Sequence, residues 1–361
     1  MSGSRGENLN TQEVVFTSQA AVARVLHYWL IDIVSKRTRL HWLTVCVLLS
    51  LVAVSPGIAY LAISFPEIST DQTRVYILGI LLLLIASFVY LVAGRLFLTF
   101  ASRALPNIIA SLVPDKLFAP MSGWADRFRF RSQLYLTFGI GAINAAANYF
   151  TIILLGAGTP GGLIATALSG FIVGAIAGNV VHLYAHFLAI IPALLSGKVR
   201  LNTLFPRETP GLRALFRLVV QFTVIYSVSN AIVLTAIFVY VGVASSFRIE
   251  TISLVGAFNV ALTWAVAAIG IGESLPSIGR VISEQKEQSL ASLQDMIDAK
   301  YALLYAAESS KDLATDIEKL IALHEAVKGQ PNLPFDFETI TRFAASFLLP
   351  LLPLILNLIF N

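Results

Sequence analysis

Six apolar stretches of this chain, at 42–65, 75–98, 134–155, 161–183, 218–243 and 252–271, each hold about 18 or more consecutive residues free of Asp, Glu, Lys and Arg. Such a run leaves a chain few options. In lipid a helix bonds its own backbone groups, and about 20 apolar residues cross the hydrocarbon layer. A seventh stretch, 343–360, is shorter and contains Pro350 and Pro353, so it either spans or stays within one leaflet. Hydrophobic residues make up 57% of the chain and charged residues 13%. A soluble domain, with roughly 25% charged residues, could not hide that much apolar surface. The expected fold is all-α, a polytopic bundle of six to seven transmembrane helices with a cytoplasmic antiparallel helical hairpin.

The loops set the orientation. With the N-terminus cytoplasmic, 23 of the 25 Lys and Arg fall on the inner side, and only Arg74 and Arg248 fall outside. That asymmetry is the positive-inside pattern. Trp29, Trp42 and Trp124 sit at the same inner boundaries, where indole rings favour the interface. The first forty residues are polar or amphipathic, so the first span is expected to act as an uncleaved anchor. The net charge of +4 follows from topology and does not indicate nucleic acid. Cys46 is the one cysteine, so an intrachain disulfide is impossible.

Four regions follow. Residues 1–41 form an inner segment whose apolar positions from Val22 to Val34 keep helical spacing; this is a membrane-surface helix or a plug under the bundle. Residues 42–271 form the six-span bundle. In 272–335 two amphipathic stripes occur, Leu290, Leu293, Ile297, Tyr301 and Leu304, then Leu313, Ile317, Leu320, His324 and Val327. They predict a coiled-coil-like hairpin turning at Glu308-Ser309-Ser310. Residues 336–361 carry the last apolar helix. The loop over 103–133 is rich in Pro and apolar residues and is expected to lie in the interface. It ends in Arg127, Arg129 and Arg131 alternating with phenylalanines, which suits anionic lipid headgroups or an anionic ligand. Arg213 and Arg217 share one face at the mouth of the fifth span, after Thr209 and Pro210 as N-cap and first helical residue.

Between Asp126 and Glu208 there is no Asp or Glu, and over 127–271 only Glu208 and Glu250 occur, both expected in loops. Carriers coupled to protons or cations commonly bury a carboxylate in the membrane. Twelve of the 21 acidic residues instead lie from Glu273 to Glu338. Polar groups within the spans are mainly amides: Asn144, Asn148, Asn179, Asn230 and Asn259. They either bond across helices or line a pore or cavity. Gly162, Thr166, Gly170, Gly174 and Gly178 form a ladder at four-residue spacing, a helix-packing seam centred on Gly170, Gly174 and Gly178. Because four residues turn a helix by about 400°, the ladder winds round it. His182 and His186 have the spacing of a metal pair but lack a third ligand, so they read as an interfacial pair and no metal or other cofactor is expected. Ala167-Leu168-Ser169-Gly170 only loosely follows an intramembrane protease serine motif, and no other catalytic motif is present. The chain does not read as an enzyme.

Leu204-Phe205-Pro206-Arg207-Glu208-Thr209-Pro210-Gly211-Leu212 and Pro334-Phe335-Asp336 resemble segments of uncharacterised bacterial multi-pass inner-membrane proteins. The resemblance implies the bacterial inner membrane and carries no activity. The functional expectation is an oligomeric channel or pore gated from the cytoplasmic side, as in a bacterial effector answering an anionic ligand. Its partners would be the lipid bilayer, further copies of the chain, and an anionic ligand or protein at the hairpin. Two alternatives stay open: a secondary transporter without carboxylate-based ion coupling, and a non-transporting scaffold or sensor that recruits partners through the hairpin. The topology predicts that, in a Cys46→Ala background, a membrane-impermeant maleimide labels Ser69→Cys and Ser246→Cys in intact cells. It should reach Lys198→Cys only after permeabilisation, and the opposite pattern would reverse the orientation.

Overall fold

The computed structural model describes residues 30–64, 69–112, 130–154, 159–195, 201–244, 249–306 and 311–331, with four isolated positions between 341 and 351. Among the described residues every regular element is helical. The helices are α1 (Leu30–Thr38), α2 (Trp42–Ser64), α3 (Thr70–Leu112), α4 (Phe130–Leu154), α5 (Pro160–Leu195), a 3-10 turn (Pro206–Glu208), α6 (Pro210–Ala244), α7 (Ile249–Ala306) and α8 (Lys311–Lys328). Five helices, α2 to α6, are long and apolar enough to cross a membrane. The sixth apolar stretch lies within α7. Apart from isolated positions the seventh falls outside the described residues, as do Arg127, Arg129 and the turn expected at 308–310.

Local chemistry starts these helices. Ser69 and Gln72 form a reciprocal capping box at α3: the Gln72 N–H donates to Ser69 Oγ and the Ser69 N–H to Gln72 Oε1, both at 3.3 Å. Thr159 caps α5 by accepting from the Gly162 N–H at 3.2 Å, with Pro160 at the first helical position. Pro56 lies inside α2, where it withholds the N–H that would serve the Val52 carbonyl. The Ser55 hydroxyl donates to that carbonyl at 2.8 Å, so the helix continues.

Packing shows that consecutive spans run in opposite directions. One buried cluster joins Ile31 of α1, Val45 near the start of α2, Leu105 late in α3, Phe187 late in α5, Leu212 at the start of α6 and Ile282 of α7. A second joins Tyr60 late in α2, Tyr76 early in α3, Ile152 late in α4, Leu163 early in α5 and Tyr240 late in α6. The first end also carries Arg95, Arg213 and Arg217; it is the basic end of the bundle. Here α1 is fastened by buried Ile31 and by Asp32, which pairs with Arg95 at 3.2 Å.

The helices exceed their apolar cores. α3 begins at residue 70 and runs to 112, into the expected loop. α5 runs unbroken to Leu195 without stopping at Pro192. Glu250 was expected in a loop and instead sits in the first turn of α7. Thr209 precedes α6 as expected, and its carbonyl accepts from the Leu212 and Arg213 N–H groups. Its hydroxyl, however, accepts from the Asn202 N–H at 2.9 Å rather than from its own helix. The largest difference is at 271–272, where a bundle-to-hairpin boundary was expected. One helix of 58 residues passes straight through, with Pro276 inside and exposed. At about 1.5 Å per residue it is roughly 87 Å long, against about 30 Å of hydrocarbon.

α8 packs back along the far part of α7 in the opposite direction. Lys300 meets Asp316 at 2.5 Å, and the Lys286 ammonium donates to the Gln330 carbonyl at 2.7 Å. Leu293, Ile297, Ile317 and Val327 are buried between them, while Tyr301, placed on the stripe by its spacing, is exposed. The hydrogen bond and charge of Lys300, with Lys319 nearby, hold the Asp316 carboxyl below the usual carboxylate range. A depressed carboxyl stabilises above its unfolded pKa, and that contribution is lost as pH falls through the folded value. Because Ile297 is buried, Ile297→Ala should cost about 2–4 kcal/mol locally. Hydrogen exchange should then speed in α8 while α2–α6 are unchanged; unaltered α8 protection would contradict this packing.

Candidate functional site

The glycines of α5 decide where α4 sits. A Cβ on Gly174 would lie 2.5 Å from Asn144 Cβ, and one on Gly178 would lie 3.0 Å from the Leu136 carbonyl oxygen and the Thr137 Cα. At Gly170 it would meet Asn148 Nδ2 at 2.8 Å, and at Gly141 of α4 it would meet Phe171 at 3.1 Å. The two backbones are therefore in contact, which only residues without a side chain permit. The ladder winds as four-residue spacing requires: Gly161 and Gly162 face Tyr60 of α2 and Tyr76 of α3, at the far end. There Thr159 Oγ1 also bonds the hydroxyls of Tyr60 and Tyr76.

With α4 seated on α5, its amides bond locally. Asn144 Nδ2 donates to the Gly170 carbonyl at 2.7 Å, and Asn148 Nδ2 to the Asn144 carbonyl at 2.7 Å. Both side chains line a cavity of about 150 Å³ bounded by α3, α4, α5 and α6. Its walls are mostly aliphatic, and its polar lining comes from Tyr90, Asn144, Asn148, Thr151 and Tyr240. None of the lining side chains is charged.

The other amides lie elsewhere. Asn179 accepts from Gln133 Nε2 at 2.7 Å, tying α5 to the start of α4 at the basic end. Asn230 sits behind the cavity wall: its Oδ1 accepts from the Tyr90 hydroxyl at 3.0 Å and its Nδ2 donates to the Tyr226 carbonyl at 2.8 Å. From there a buried aromatic column leads to the basic end, with Tyr226 stacked on Tyr184 at 4.9 Å and the Tyr184 hydroxyl 3.3 Å from Thr223 Oγ1. Asn259 is placed on α7 by its backbone alone. The structure thus brings together Asn144 and Asn148 but not the full set of five.

Arg213 and Arg217 are exposed on one face of α6, and Arg213 approaches Glu208 loosely at 3.9 Å. Arg131 and His186 are placed only by their helices. His182 is buried. Among the described residues no three His, Cys, Asp or Glu side chains gather. Ser169 is buried and its hydroxyl accepts from the Gly57 N–H at 3.2 Å, a packing role between α5 and α2. Sequence reasoning missed Tyr90, Thr151 and Tyr240 as cavity residues, and also the Asp32–Arg95 pair. Hydroxyl-bearing side chains inside aliphatic runs were the signal for the first three; Asp32 on an amphipathic helix and Arg95 closing a span were the signal for the pair.

The geometry ranks two substitutions. Asn144→Leu should lose an interhelical bond worth about 1 kcal/mol. Gly174→Val drives a branched side chain into the α4 backbone and should cost more, on the scale of 1–3 kcal/mol for overpacking. Thermal unfolding in detergent should show the larger loss for Gly174→Val, and the reverse order would argue against backbone contact there.

No family model, curated protein or solved structure matches this chain.

Proposed function

We propose that this chain is the subunit of a homo-oligomeric channel of the bacterial inner membrane, with its N-terminus cytoplasmic and its gate on the cytoplasmic side. One observation carries the reading: α4 is the least apolar of the five spanning helices and also the least covered. Its mean hydropathy is 1.3, against 1.9 to 2.8 in the others, and 11% of the span is buried, against 28 to 50%. A lone subunit would present its most polar span most fully to lipid, the least favourable arrangement. Further copies set against α4, around a water-filled path, remove that conflict. Asn144, Asn148 and Thr151 form an uncharged polar strip beside it, suited to a conducting path.

The gate follows from α7. Its packing contacts join it to α5 and α6, and beyond the bundle the Ser289 hydroxyl bonds the Thr203 carbonyl in the segment leading into α6. Displacement of the α7–α8 arm therefore pulls on α6 directly. Arg213 and Arg217 at that mouth supply positive charge for an anionic ligand.

The second reading is a non-transporting scaffold or sensor. It is favoured by the internal bonding of Asn179 and Asn230, which makes them interhelical ties. Liposomes containing the full chain separate the two, using ion flux together with particle mass in nanodiscs. Wild type is compared with Lys286→Ala/Ser289→Ala, which loosens the base of the arm. An oligomer that conducts in either form, with flux reduced by Asn148→Leu, is the expected result. A single-chain particle, or an oligomer silent in both forms, overturns the channel and leaves the scaffold.

A further inference from the structure

We infer that the cavity between α3, α4, α5 and α6 binds a neutral lipid bearing a hydroxyl, with the hydroxyl on the Asn144–Asn148 amides and part of the apolar chain in the cavity. The chemistry of the walls selects the class. No lining side chain is charged, so a carboxylate or ammonium ligand would be buried without a counter-charge. The bonds that hold the two amides use one N–H apiece. A carboxamide has a second N–H and an acceptor oxygen. A hydroxyl, which both donates and accepts, matches that pair; a pure hydrocarbon leaves both groups without a bond.

Size and access fit the same occupant. A cavity of about 150 Å³ in a protein core is enough for a benzene-sized group, so only a short length of chain enters. The remainder needs a way out, and the α4 edge provides it. Ile143 and Ala147 line the cavity yet are exposed, Ile143 by 53%. Among the described residues α4 has its main packing partner in α5, and no other described helix packs closely along its opposite edge. Entry is sideways from lipid. Lipid and conducting path would use the same amides and the same α4 edge, so they occupy the site in turn, and loss of conductance would leave the lipid site standing.

Full-length protein in nanodiscs is photolabelled with a hexadecanol carrying a diazirine beside its hydroxyl. Crosslinks should fall on 140–151 of α4 and 233–240 of α6. Unlabelled hexadecanol should compete at least about fivefold better than hexadecane or hexadecanoate, the equivalent of one hydrogen bond. Ala147→Phe should abolish this labelling by filling the cavity, whereas Ala146→Phe, exposed and outside the lining, should not. Asn148→Leu should erase the preference of alcohol over alkane. Equal labelling of every lipid-facing helix, equal competition by hexadecane, or labelling that survives Ala147→Phe would overturn the site and leave the cavity to water or bulk lipid.

Discussion

Backbone contact between α4 and α5 sets the geometry on which the cavity depends. Apolar surface alone gives little reason for two helices to meet in lipid, because a hydrocarbon tail is as good a neighbour as a leucine. Close approach must be favoured by dispersion and by polar bonds, and both need small residues. Gly170, Gly174 and Gly178 supply the space, and Asn144 uses it to reach the Gly170 carbonyl. Having committed one face to α5, α4 stands off from α3 and α6. The cavity is the gap that remains, so its shape is a consequence of the glycine seam.

The same accounting explains the polar residues elsewhere in the spans. A backbone or side-chain group without a partner in hydrocarbon costs several kcal/mol, so each must be answered locally. Ser55 answers the carbonyl released by Pro56, and Ser169 receives the Gly57 N–H. Tyr90, Asn230 and Tyr226 close a chain of bonds between α3 and α6. These residues make the bundle specific as well as satisfied, because each bond requires one register between two helices.

Much of this was legible in the sequence, for reasons of length. Aliphatic runs such as 42–65 can do little except span, and α2 covers 42–64. The glycine ladder announced a close neighbour and a winding contact, although nothing in it named α4. Helix ends were less legible. Apolar character marks only the portion that lipid or the core must hide, and a helix continues past it wherever amphipathic residues allow, as α3 does to 112 and α5 to 195. The cavity was not legible, because Tyr90, Asn148 and Tyr240 lie on three helices far apart in the chain. Asp32 and Arg95 are 63 residues apart, and only the docking of α1 reveals them as a pair.

Continuity through Pro276 has the widest mechanical consequence. A proline inside a helix removes one hydrogen bond and crowds the preceding turn, which favours a kink or a break. Here the helix is held to the bundle just before the proline by partly buried Leu275 and just after it by buried Ile278 and Ile282, with the contact of Ser289 with Thr203 further on. The helix is thus anchored on both sides of its weakest point and passes from bundle to arm without a flexible joint. Two domains joined by a loop would move independently. A single helix bearing α8 at its far end and packed on α5 and α6 at the near end cannot shift at one end without loading the other. Displacement of the arm would load α6, whose Asn230 is bonded to Tyr90 in the wall of the cavity.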